Sequence, residues 1–154
     1  YLMPLARVVT PNLPEAEILS ERKIEGEADF EDIAKCISDN GKLSVFLKAG
    51  HLQGDILVDH FYNAEDGSMT LLPSKRFHTE NTHGTGCTLS SALAAALARG
   101  FSLADAAISA KKYISEAIRS GADVKTGNGF GPVNHGFDPQ KMFLNNKKIN
   151  QDVQ

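Results

Sequence analysis

Two rhythms of hydrophobic and polar positions alternate along this chain. "LARVVTPN" contains a short apolar run, residues 6–9, that ends at Thr10-Pro11. Proline biases the residue before it toward extended backbone, so the run reads as a strand. "LPEAEIL" restarts the chain as a short helix with Pro14 near its first turn. In "EADFEDIAKCISDNG" the apolar residues Ala28, Phe30, Ile33, Ala34 and Ile37 recur at the spacing of one helix face, and Gly41 supplies a stop. "LSVFLKAGH" is a strongly apolar run of the buried-strand kind that ends at Lys48 and turns at Gly50.

The middle of the chain changes period. "DILVDHFYNAEDGSMTLLP" holds two strand-like runs around the polar turn "NAEDG", with Gly67, and predicts a β-hairpin at a sheet edge. A polar connection, "SKRFHTENTH", leads into two long helices. The first is predicted over 85–98 and stopped by Gly100, the second over 102–120 and stopped by Gly121. Ser102, with Asp105 three residues on, reads as an acidic variant of the capping box. The tail from Gly127 onward, rich in Gly, Asn and Pro and then polar, predicts a surface loop followed by a frayed end.

These elements predict an α/β fold: a largely parallel sheet flanked by helices, with an edge hairpin. Ligands of such sheets sit in the crevice beyond the C-terminal ends of the parallel strands. Residues 10–12, residues 48–51 and the glycine turn before the first long helix are expected to open onto it.

Composition narrows the classes of function. The 154 residues are 42% hydrophobic and 23% charged, enough for one domain with a real core. A net charge of -3 and the lack of a Lys/Arg stripe argue against a nucleic-acid partner. No apolar run approaches the ~20 residues that span a bilayer, so no membrane partner is expected. The chain shows no signal-peptide pattern and opens on Tyr1, so a preceding segment is expected to be missing. Cys36 and Cys87 form no C-x-x-C pair, which suits a reducing, cytoplasmic setting. Cys36 is expected to be a small buried apolar residue.

The stretch that carries chemistry is "ENTHGTGCTLSSALAAALARG", residues 80–100. The first N–H groups of a helix lack intrahelical partners, and the helix dipole makes that end positive. Glycines let the backbone approach a ligand closely. Gly84, Thr85 and Gly86 therefore read as an anion cradle; an ordinary tight turn is the plainer alternative. The pattern is neither G-x-G-x-x-G nor a Walker A. Cys87 follows at once, and a helix N-terminus favours thiolate over thiol. It suits a nucleophile or a general base beside a phosphoryl group. A Cys-His hydrolase would need a third, orienting residue, and none is identifiable.

"TPNLPEAEIL", "LKAGHLQGDILVDHFY", "HTENTHGTGCTLSSALAAALARG" and "GFGPVNH" together resemble the hydroxymethylpyrimidine and hydroxymethylpyrimidine-phosphate kinases of thiamine biosynthesis, members of the ribokinase-like superfamily. The similarity runs to about His135, giving a division into residues 1–135, the C-terminal part of a kinase domain, and a polar tail, 136–154. The resemblance implies a phosphotransferase that uses ATP and Mg²⁺ and acts on a small pyrimidine alcohol and its phosphate. It implies that Gly84, Thr85 and Gly86 form the anion hole and that Cys87 is the base. It implies that Lys48 lies near the ATP phosphates, with Ala49 where the family usually has Gly. Asn12 and Glu15 match an N-x-x-E element that organises Mg²⁺, with Glu15 acting through water.

A homodimer is implied for the intact protein. Adenine contacts are expected on "AISAKKYISEAI" or "GNGFGPVNH", without assignment to residues. The family's glycine-rich pyrimidine-binding region has no counterpart here. The isolated chain is therefore expected to be inactive, and to expose a sheet edge and an apolar face. A pyridoxine or pyridoxal kinase and a non-catalytic nucleotide-binding remnant remain alternative readings.

Overall fold

The computed structural model describes residues 2–39, 41–50 and 54–139. The elements in chain order are β1 (Val8–Val9), α1 (Leu13–Ser20), α2 (Phe30–Ile37), β2 (Ser44–Leu47), β3 (Ile56–Tyr62), β4 (Met69–Lys75), α3 (Thr85–Ala98) and α4 (Leu103–Gly121). The four strands form one sheet in the order β1-β2-β3-β4. β1 and β2 pair in parallel, while β2–β3 and β3–β4 are antiparallel. The expected hairpin thus supplies half of the described sheet, and its outer strand is an edge.

Side chains of β2 alternate between two cores, as strand geometry requires. Phe46 joins Phe61, Leu72, Leu89, Leu93 and the apolar face of α4 on one side of the sheet. Val45 and Leu47 join Leu13, Phe30, Ile33, Ile37 and Tyr62 on the other. Helices therefore cover both faces, α3 and α4 on one and α1 and α2 on the other. This explains why β2 reads as a continuous apolar run: all four of its residues are buried.

The bounds of α3 match the spacing read from the sequence. Gly84 (φ 84°) precedes it and Gly100 (φ 88°) follows it, both in the left-handed region. Several other expectations are corrected. β1 has two residues rather than four. α2 ends at Ile37, so the left-handed Gly41 lies beyond the helix rather than stopping it. Gly121 is the last residue of α4, not its stop. It is glycine because a Cβ there would meet the Asn134 backbone nitrogen at 3.0 Å.

Cys36 is exposed, with its thiol 3.7 Å from the Ser20 carbonyl, because it faces away from the core that Ile33 and Ile37 enter. The loop after α4 is not wholly a surface loop. Pro132 bridges His83, Val133 is buried in the α3–α4 core, and the Asn134 N–H donates to the Ala117 carbonyl at 3.0 Å. Of the polar tail, 136–154, residues 140–154 lie outside the described residues. Among the described residues, no helix is long and apolar enough to cross a membrane.

Candidate active site

Three helices of this chain begin in different ways. At α1, Asn12 Oδ1 accepts from the Glu15 N–H and Glu15 Oε2 accepts from the Asn12 N–H, both at 2.8 Å. At α4, Ser102 Oγ accepts from the Asp105 N–H at 3.1 Å. At α3 no side chain caps the end. The Thr85 N–H turns back to the Thr82 carbonyl at 3.3 Å, while those of Gly86 and Cys87 have no acceptor among the described residues. The donors open to a ligand include those of Gly86 and Cys87, while Thr85 N–H is spent inside the turn.

The turn is held from behind by hydroxyls. Ser90 Oγ donates to the Gly86 carbonyl at 3.0 Å. A hydroxyl carries one proton, so the 2.9 Å contact between Thr10 and Ser90 is a donation from Thr10, which ties the end of β1 to α3. Thr88 Oγ1 donates to the Gly84 carbonyl at 2.7 Å. By the same accounting, His135 Nε2 donates its proton to Thr88 at 2.8 Å.

On one side of this turn lies a cleft of about 560 Å³. Asn12, Glu15, Lys48, Thr85 and Gly86, five of the residues predicted from sequence, line it together. Gly84 forms the turn itself. Lys48 follows β2, and its N–H donates to the Pro11 carbonyl at 2.9 Å, which fixes the strand end beside β1. Its ammonium lies 3.5 Å from where a Gly86 Cβ would be. The cleft carries Lys48, Lys75, Arg76 and Lys111 against Glu15 and Asp59. A cationic excess inside a chain of net charge -3 marks a place for an anion.

The cleft also has apolar walls. Leu57, Phe77, Ile114 and Ile118 line it, with Ser115 among them, so the helix half of the expected base-contact region reaches the cleft. Gly127–Gly129 line a separate depression of about 840 Å³ that meets the cleft at Arg76 and Phe77.

Cys87 does not share the cleft with Lys48. It is exposed in a neighbouring cleft of about 490 Å³, with Thr88, Tyr113 and His135. The first turn of α3 therefore separates a cationic cleft from a thiol-bearing one.

Sequence reasoning missed Asp59, Lys111 and His135. Asp59 and Lys111 each left a signal: a carboxylate in the middle of an apolar strand, and a lysine four residues after Ala107 and three before Ile114 on the buried face of α4. Both lie on faces that periodicity assigns to the core.

A divalent cation has limited support from the chain alone. No cluster of three or more metal-ligating side chains occurs among the described residues. Mg²⁺ in phosphate sites keeps several waters and takes one or two carboxylates with the phosphates. Glu15, whose Oε2 serves the α1 cap, lines the cleft and leaves Oε1 for such a shell.

The family model described as phosphomethylpyrimidine kinase matches residues 1–134. The hydroxymethylpyrimidine/phosphomethylpyrimidine kinase of Rhizobium meliloti (strain 1021) is 44% identical over 135 residues, covering 87% of this chain and 50% of that protein. The thiamine biosynthesis bifunctional protein ThiED of Geobacter sulfurreducens (strain ATCC 51573 / DSM 12127 / PCA) is 42% identical over 134 residues, 87% of this chain and 26% of that protein. Among solved structures, the pyridoxal kinase from Staphylococcus aureus in complex with AMP-PCP and pyridoxal superimposes with a TM-score of 0.77 at 38% identity, over 88% of this chain and 50% of that one. The chain spans about half the length, or less, of the relatives it matches.

Proposed function

Because the chain belongs to the phosphomethylpyrimidine kinase family, we propose that it forms the nucleotide-binding, phosphoryl-transferring half of an ATP- and Mg²⁺-dependent kinase. The acceptors are hydroxymethylpyrimidine and its monophosphate. The observation that carries this reading is the uncapped N-terminus of α3 with the Lys48 ammonium beside it.

In this reading the apolar lining of the cleft receives the adenine, and the polyphosphate runs toward α3. The Gly86 and Cys87 N–H groups and Lys48 hold the charge on the transferring phosphoryl group. Glu15 and Asn12 would hold the water shell of Mg²⁺, which would supply positive charge to offset that of the phosphates. The acceptor lies on the thiol side of α3. Its oxygen forms the new O–P bond as the γ-phosphoryl group leaves ADP, and its proton passes to Cys87 Sγ.

The solved pyridoxal kinase at 38% identity favours a second reading, with pyridoxal as acceptor. The two are separated by ADP release from the full-length protein with each alcohol in turn. A higher kcat/KM for the pyrimidine supports the first, and a higher value for pyridoxal supports the second. Residues 1–154 alone are expected to show no stimulation by the pyrimidine, since in-line placement of donor and acceptor supplies most of the acceleration. A stimulated rate like that of an intact family enzyme would contradict this assignment of the chain to half of the machinery. A nucleotide-binding remnant without turnover is the outcome if the full-length protein binds AMP-PCP and phosphorylates neither alcohol.

A further inference from the structure

Asp59 and Lys111 form the one ion pair among the described residues in which both side chains are nearly buried, at 9% and 11% exposure and 2.7 Å. They come from β3 and α4, 52 residues apart, and both line the cationic cleft. The second carboxylate oxygen has a different partner: Asp59 Oδ1 accepts from the Ala49 N–H at 2.8 Å. Ala49 is fully buried and immediately follows Lys48. The Lys48 N–H in turn donates to Pro11. The strand end that carries the lysine is thus held at Lys48, which also bridges Asn12, and at Ala49, with Arg76 Nη2 donating to the Gly50 carbonyl at 3.5 Å.

We propose that Asp59 is a positioning residue for the Lys48 turn, with Lys111 as the counter-ion that allows a carboxylate to stand there. This rests on the reading of the cleft as the nucleotide site. Packing alone gives no reason for a carboxylate among apolar β3 neighbours. Burying an ion pair is often no better for stability than apolar residues of similar volume. What an apolar residue cannot do is accept the Ala49 N–H. Without that bond the buried Ala49 N–H loses its acceptor, the turn after Lys48 is held less firmly, and the ammonium is less closely fixed beside Gly86. Alanine at position 49 cannot contribute a side-chain bond of its own, so the hold on the Ala49 amide comes from Asp59.

The test uses the full-length protein and three variants, Asp59→Asn, Asp59→Leu and the double variant Asp59→Leu/Lys111→Met. Three quantities are read: thermal stability, hydrogen exchange of the Ala49 amide without nucleotide, and Kd for AMP-PCP. Asp59→Leu leaves Lys111 buried and unpaired and should lower stability. The double variant removes both charges and should recover it. Ala49 exchange should nonetheless stay fast in the double variant, and AMP-PCP affinity should stay down by about tenfold, or ~1.4 kcal/mol. Asp59→Asn, oriented with its carbonyl oxygen toward Ala49, should restore both. Recovery of slow exchange and of affinity in the double variant, along with stability, would overturn the proposal and leave the pair a packing feature. Slow Ala49 exchange in Asp59→Leu would overturn it equally. Failure of the unmodified protein to bind AMP-PCP would instead count against the nucleotide reading, since the exchange measurement does not depend on it.

Discussion

The N-termini of α1 and α3 face the same cleft, yet they are built in opposite ways. α1 is closed by its own side chains: Asn12 and Glu15 satisfy each other's backbone N–H groups. α3 is left open, with a left-handed glycine in the cap position and, behind it, two donors without an acceptor among the described residues. An isolated helix gains from capping, typically ~1 kcal/mol. The open end forgoes that stabilisation, and the left-handed backbone at Gly84 (φ 84°) disfavours the side chains that would supply it. Closed ends build the fold, and the open one is available to a ligand. The hydroxyls of Thr88 and Ser90 sharpen the contrast. They bind carbonyls of the turn from the protein side and leave its N–H groups outward.

The largest expected effect lies just past the open end. In the full-length enzyme, Cys87→Ala should lower kcat by ~10²–10⁴, the usual loss on removing a general base, with little change in AMP-PCP affinity. Steady-state kinetics beside equilibrium titration checks both. A variant with near-normal turnover would leave Cys87 a bystander at the helix start.

Next in size is Lys48→Met, which removes the ammonium nearest the open donors. AMP-PCP binding should weaken roughly 10–100-fold, the range for a lost charged hydrogen bond. Unchanged affinity would make Lys48 a strand-end charge without a ligand.

Smaller effects separate conformation from capping. Gly84 has φ 84°, so Gly84→Ala should cost ~1–2 kcal/mol of stability by strain, and should displace the open donors as well. Ser102→Ala, at the capped start of α4, should cost ~1 kcal/mol and leave nucleotide affinity unchanged. Chemical denaturation and titration of both variants would show whether the two helix starts differ in function as they do in build.

The parts legible in sequence were those set by local chemistry. α3 was readable because glycines bracket a helix-forming run, and the hairpin because a polar glycine turn splits two apolar strands. The convergence of Asn12, Lys48 and the glycine turn followed from strand ends facing one crevice, while Glu15 was named only through the family resemblance. What escaped depends on partners distant in sequence. Asp59 finds Lys111 only when α4 lies across β3, and no periodicity announces that pairing. The loop after α4 looked like a surface loop because nothing local shows that Asn81 reaches the carbonyls of Gly121 and Val124, or that its side chain fills the space a Cβ at Gly131 would take. Cys36 was misread because it was judged by residue type: with Phe30, Ile33, Ala34 and Ile37 turned inward, the spacing of α2 puts Cys36 on the outer face of the helix.

The open helix end is tested most directly by amide chemical shifts of the full-length protein during titration with AMP-PCP. The account predicts large, saturable shifts at the Gly86 and Cys87 amides, and none at Leu103–Asp105 of the capped α4. Saturable binding that leaves Gly86 and Cys87 unmoved would contradict it, and would place the phosphates somewhere other than the start of α3.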